Sequence, residues 1–171
     1  NYTYQTSVML AICEGTIQGI GSTWVDKTKF ADPATLGFSV FTGTETQSPW
    51  GWLTTKHPDQ ALGYSRLAYV AVSNYNLDSS TSLKNHSFEV KGSYQYSIDI
   101  VDANPKDILV DFLTNPIYGA GLSVDMLDGL SDFSDYCIAQ GLFFSPALTE
   151  QGEAHDFIET LCRASNTAIY P

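Results

Sequence analysis

Basic residues are scarce in this sequence: eight Lys and Arg stand against nineteen Asp and Glu, a formal net charge of −11. Such a surface repels phosphate backbones and anionic headgroups, which excludes nucleic-acid binding by charge attraction. Long apolar runs are missing too. Val8–Cys13 and Leu67–Val72 are the longest at six residues each, far short of the ~20 a membrane helix needs, so no membrane-spanning segment is expected. Cysteine is limited to Cys13, Cys137 and Cys162, an odd number without a CxxC spacing, so reduced, buried thiols of a chain folded in a cytoplasm are expected. There is no basic segment leading into an apolar one at the start, and the first residue is Asn1, so the sequence reads as a fragment or processed product. GxGxxG, P-loop, HExxH and nucleophile-elbow patterns are absent, as are internal repeats.

What is present is enough for a folded core: 171 residues, 43% hydrophobic, 13% aromatic and only 16% charged. The chain changes character near Asp102. Before it, segments rich in Thr, Ser, Tyr, Val and Phe predict strands over roughly 5–14, 22–30, 38–42, 68–77 and 86–100. Period-two alternation places Tyr69, Ala71, Ser73 and Tyr75 on one face of the fourth and Ala68, Val70 and Val72 on the other, both at least partly covered. The stretch 42–58 reads as a long surface loop. Beyond Asp102 the period becomes helical. Asn104 caps and Pro105 opens a helix to about Thr114, with Asp107 at the positive end of its dipole and Ile108, Leu109, Phe112 and Leu113 as its apolar stripe. A second helix is predicted over 132–140, capped by Ser131 and stopped by Gly141, and a third over 152–164 with Ala154, Phe157, Ile158, Leu161 and Cys162 on one face. Residues 142–145 and 168–170 read as short strands, the latter cut off by the end of the chain. The fold class is thus α+β: a β-rich portion of short antiparallel strands, 1–101, then a portion of about three helices, 102–171.

Acidity invites a hydrolase reading, with Asp99 and Asp102, or Asp107 and Asp111, as acid and base. The second pair lies four apart on a helix, where like charges repel and face water. Asp125, Asp128, Asp132 and Asp135 lack the alternate spacing of a calcium loop. A cysteine nucleophile paired with His57, His86 or His155 is opposed by the apolar positions of all three cysteines. No catalytic residue, metal ligand or cofactor site is therefore expected, and the chain reads as not an enzyme. Trp50 and Trp52, flanking Gly51, are the sharpest binding signal: a plug over the core, a contact between subunits, or a platform for sugars.

Four ordered stretches resemble a known family. Leu10-Ala11-Ile12-Cys13-Glu14-Gly15-Thr16-Ile17-Gln18-Gly19-Ile20 with Trp24, then Tyr64–Val70, then Asn85–Val90, then Asp102-Ala103-Asn104-Pro105 through Leu113–Gly121 are similar to motifs of the phage tail tip attachment, or host-specificity, proteins and the matching gene transfer agent tail hub proteins. Thr16 stands where that family usually has proline, and so does Lys84. The resemblance implies a tail-hub-like fold and no reaction. It implies a structural component of a phage or phage-like tail tip, part of the hub that closes the tail tube and supports host attachment, made in the host cytoplasm and carried in the virion. The implied partners are two further copies in a trimer of the longer parent, together with other tail-tip and tail-tube proteins. The alternative is a carbohydrate-recognition module of a tail, resting on Trp50 and Trp52; a cell-wall hydrolase rests on acidity alone.

Overall fold

Alternation along one central strand decides how the N-terminal half is layered. The computed structural model describes residues 2–92, 102–150 and 152–170, and the chain divides into two units, Asn1–Ser93 and Tyr94–Pro171. In the first, β1 (Tyr4–Glu14), β5 (Leu67–Asp78) and β4 (Ser39–Thr42) form one antiparallel sheet in the order β1-β5-β4. A second antiparallel sheet has the order β3-β2-β6, from β2 (Gly19–Val25), β3 (Thr28–Phe30) and β6 (His86–Lys91). Val8 lies opposite Val72 and Leu10 opposite Val70, so these side chains share a face. They pack there with buried Phe38 and with Ile20 of β2 and Phe88 of β6, which brings the two sheets face to face. On the other face of β5, Tyr69 and Ala71 meet Met9, Phe41, Trp50, Trp52 and Leu53. β5 is therefore apolar on both faces because it is covered on both.

Three expectations for this unit need correction. The predicted strand 22–30 is a hairpin, β2 and β3, turned at Asp26, whose φ of +53° an aspartate tolerates better than most side chains. Tyr75 joins Phe38, Val70 and Val72 instead of Tyr69 and Ala71. The cause is a bulge: Ser73 and Asn74 stand opposite the single Ser7, Asn74 takes φ +56°, and the alternation shifts by one beyond it. Finally, the loop predicted over 42–58 contains a six-residue helix, α1 (Gly51–Lys56). The predicted strand 86–100 is seen as β6 to Lys91; its remainder from Ser93 lies outside the described residues.

The second unit is built on α2 (Pro105–Thr114), whose start follows from its sequence. The Asn104 side-chain oxygen accepts from the Lys106 N–H at 2.9 Å, Pro105 occupies the first turn where an N–H would go unused, and Asp107 sits in that turn. Its stripe is buried as the spacing requires: Leu109 and Leu113 pack with Leu161, Ile158, Phe133 and Phe144, and Phe112 meets Phe157 at a ring distance of 4.4 Å. Leu161, Ile158 and Phe157 belong to α4 (Ala154–Ala164), capped at Glu153 by backbone alone. α3 (Leu130–Gln140) starts two residues before the predicted 132 and is not capped by Ser131; Gly129, at φ +69°, turns the chain straight into the helix. Gly141 ends it as expected. Of the two predicted short strands, residues 142–145 supply one bridge, Phe144 with Ala103, and 168–170 form no strand.

Asn104 does more than cap. It is 2% exposed, and its Nδ2 donates to the Ser134 hydroxyl at 3.1 Å and to the Ser134 carbonyl at 3.3 Å, tying α2 to α3. Asn104→Ala should cost about 0.5–2 kcal/mol for the cap and more for the stranded Ser134 groups. An aspartate would preserve the cap but could not donate to Ser134, so Asn104→Asp should also lower the urea midpoint of the helical unit, by less than the alanine. A midpoint for the aspartate variant equal to wild type would show that the bonds to Ser134 contribute nothing.

Candidate functional site

The segment joining β4 to β5 is the most heavily constrained stretch of the first unit. Gly43 opens it with φ +80°, and its N–H donates to the Gln47 side chain at 2.8 Å. The same side chain donates from Nε2 to the carbonyls of Gly63 at 2.9 Å, Leu67 at 3.1 Å and Tyr64 at 3.2 Å. One amide thereby closes a loop of some twenty residues. Arg66 pairs with Glu45 at 2.5 Å, both exposed, which contributes little in water but keeps the loop ends aligned. Against this frame the turn after β1 is pinned at three points: the Gly15 N–H donates to Arg66 at 2.7 Å, the Ile17 N–H to Thr42 at 2.9 Å, and the Thr16 hydroxyl to the Gly43 carbonyl at 3.0 Å.

Trp50 and Trp52 sit in this segment, where Trp50 is only 8% exposed and belongs to the core with Tyr69 and Ala71. Half-buried Trp52 stacks on it at 4.9 Å and contacts the His57 ring at 5.5 Å. Trp50 thus plugs the outer face of the β1-β5-β4 sheet, and so buried an indole has no open face to offer a sugar ring. Beneath the plug, Phe41 stacks on Tyr69 at 4.3 Å, and burial, with Tyr64 close by, pushes the Tyr69 hydroxyl pKa up.

Several of the side chains considered for chemistry are engaged in local bonds. Asp102 accepts from the Ser145 hydroxyl at 2.5 Å, Asp107 from Lys106 and Asp111 from Tyr118, while Asp99 lies outside the described residues. Asp128 accepts from the N–H of Gly129 at 2.7 Å, and Asp132 sits in the first turn of α3. Among the described residues no three His, Cys, Asp or Glu side chains converge as metal ligands would. Burial pushes the thiols of Cys13, Cys137 and Cys162 up in pKa, away from the reactive thiolate. His155 lies beside Asp156 on the exposed side of α4. His86 is fully used: Nδ1–H donates to the Lys84 carbonyl at 2.8 Å, which leaves Nε2 to accept from the Tyr75 hydroxyl at 3.0 Å. His86 borders an open groove of about 510 Å³ whose lining includes Leu10, Ile12, Lys84, Ser87, Phe88 and Val90.

The four motif stretches serve the backbone. The first supplies the Gly15 turn and, at Trp24, a rung of the β3-β2-β6 sheet. The second brings Arg66 and Leu67 to that turn and runs into β5. The third forms β6 against β2. The fourth caps α2 and then folds the chain back over its end, with Ala120 N–H donating to Phe112 at 2.9 Å and Leu122 N–H to Leu113 at 2.8 Å. Gly119 is required there, because a Cβ would come within 2.0 Å of the Phe112 carbonyl oxygen. Sequence reading had no local signal for the Gln47 clasp, whose partners lie up to twenty residues away. Among the described residues no helix is long and apolar enough to cross a membrane.

No protein-family model matches the chain, and no curated protein matches it. Among solved structures, it is similar to a chain of the virion of a native gene transfer agent particle, at 23% identity and a TM-score of 0.47, over 81% of this chain and 35% of that one. The chain therefore spans about a third of that neighbour's length.

Proposed function

We propose that the chain is a structural component of a phage or phage-like tail tip, part of the trimeric hub that closes the tail tube and supports host attachment, and that it carries out no reaction. The observation behind this reading is the use made of the four motif stretches. Each fixes a turn, a sheet rung, a helix cap or a helix end, and where the first and third also line the groove beside His86, that imidazole is held by Lys84 and Tyr75. Residues that shape the backbone and bond among themselves are what a scaffold requires, whereas a catalyst needs groups held apart from such bonds and aimed at a substrate. The acidic surface suits a conduit along which DNA passes without adhering.

The reading is tested in the particle whose genome encodes the chain. Antibody raised against the 171-residue chain should label one end of the tail, and deletion of the segment should leave particles without a functional tip. Label spread along the tube or on the capsid, or normal infectious tails without the segment, would overturn it.

A further inference from the structure

The charge of −11 is carried almost entirely by one unit. Asn1–Ser93 has seven acidic and six basic residues, a balance of −1, while Tyr94–Pro171 has twelve acidic and two basic, a balance of −10. The acidic unit also displays a dense group of exposed apolar side chains. Ile117, Tyr118, Leu122, Val124 and Met126 fall within ten residues, with Met126 at 70% exposure and Ile117 at 56%. This stretch is held firmly in place. Asn115 accepts from the Ile117 N–H at 2.9 Å, Tyr118 is bonded to Asp111, the Gly119, Ala120 and Leu122 N–H groups bond back to the end of α2, and Ser123 caps the short turn at Val124–Met126. Apolar side chains fixed in water by the backbone, with Asp125 and Asp128 beside them, form a preorganised contact surface for a partner that is apolar and positive.

A second copy of the same unit is the wrong partner, since −10 would meet −10. The positive surface lies in the other unit. The β3-β2-β6 sheet and its flanks, residues 19–30 and 84–91, carry Lys27, Lys29, Lys84 and Lys91 against Asp26 and Glu89, half of the chain's eight basic residues, although Lys84 is paired with Asp78 at 3.6 Å, so Lys29 and Lys91 are the cations of the face. Its outward face has an aromatic centre: Trp24 is half-buried, lies opposite Lys29 and Ser87, and has the Lys29 ammonium 5.5 Å from its ring. Ser87 lies opposite Trp24, and alternation along β6 then puts Glu89, which accepts from the Ser22 N–H at 2.8 Å, and Lys91 on the same side of the sheet.

We infer that residues 117–126 of one copy dock on the Trp24, Lys29 and Lys91 face of a second copy. The inference rests on the ring assembly proposed above and supplies its two unlike patches, because an interface that closes a ring joins one patch to a different patch on the next subunit. Asp125 and Asp128 then meet lysines, and Met126 and Val124 meet the indole.

Sedimentation equilibrium of the 171-residue chain, taken to about 1 mM, tests it. Wild type should associate, and less so as added salt shortens the Debye length from ~10 Å at 0.1 M. The pair Lys29→Glu with Lys91→Glu, and separately the pair Asp125→Lys with Asp128→Lys, should each weaken association at least about tenfold. Both variants should keep the wild-type circular dichroism, since all four side chains are exposed. Mixing the two variants should restore association, because each then offers the other a complementary pair of patches. A monomeric wild type at 1 mM, unchanged association in either variant, or no recovery on mixing would overturn this interface. None of these results would bear on tip labelling in the particle, which tests the hub assignment separately.

Discussion

Trp50→Ala should destabilise the β-rich unit by about 3–5 kcal/mol, the usual cost of truncating a buried tryptophan. The indole is 8% exposed, lies on Tyr69 and Ala71, and supports Trp52 through a stacked contact at 4.9 Å. Its removal opens a cavity over the middle of β5 and leaves Trp52 and Leu53 without support. Trp52→Ala should cost less, about 1–2 kcal/mol, because only part of its surface is withdrawn from water. Urea unfolding followed by far-ultraviolet circular dichroism measures both. Were Trp50 mainly a contact between subunits, Trp50→Ala would keep the wild-type midpoint and lose only association; that pattern would refute the plug. The same experiment separates this surface from the Trp24 face, where charge reversal at exposed side chains should alter association and leave the fold intact.

The parts of the fold that could be read in advance are those specified by neighbouring residues. α2 announces itself through Asn104, Pro105 and Asp107 within four positions, and the stripe Ile108, Leu109, Phe112 and Leu113 then fixes which side is buried. α4 is legible for the same reason, from the spacing of Phe157, Ile158 and Leu161. α1 is not: it has six residues, starts at a glycine, and follows Trp50, which provides no side-chain cap. Its helical form is imposed from outside by the apolar face of β5, to which Trp50, Trp52 and Leu53 are drawn. The exchange of faces at Tyr75 was hidden likewise, because period two is a rule for unbroken strands and the bulge at Asn74 is set by pairing with β1, more than sixty residues earlier. The site follows the same pattern. Trp50 and Trp52 were recognisable as unusual, yet whether an indole faces in or out depends on a sheet assembled from distant segments, as does the clasp of Gln47 on residues 43 to 67.

Gly43→Ala carries the other large expected effect, at a position where one methyl group meets two obstacles. The residue holds φ +80°, which costs an L side chain about 1–2 kcal/mol. In addition, the new Cβ would lie 2.3 Å from the Gly15 carbonyl oxygen and 3.0 Å from the Ala68 nitrogen, both backbone atoms that no rotamer change can move aside. Relief requires the Gly15 turn to retreat, and that turn is held by the bonds from Gly15 to Arg66, from Ile17 to Thr42 and from Thr16 to Gly43 itself. Overpacking of this kind costs about 1–3 kcal/mol, so the total is about 2–5 kcal/mol. Gly51→Ala is the matched control: it adds the same methyl at the start of α1, meets nothing within 4 Å and has no positive φ, so it should be neutral or stabilising by up to about 1 kcal/mol. Urea midpoints of the two alanine variants must therefore fall on opposite sides of wild type or nearly so. If Gly43→Ala unfolded with Gly51→Ala, the close approach of the first motif's turn to the β4–β5 loop would not be what fixes this corner, and the account of the motifs as backbone-shaping elements would lose its clearest instance.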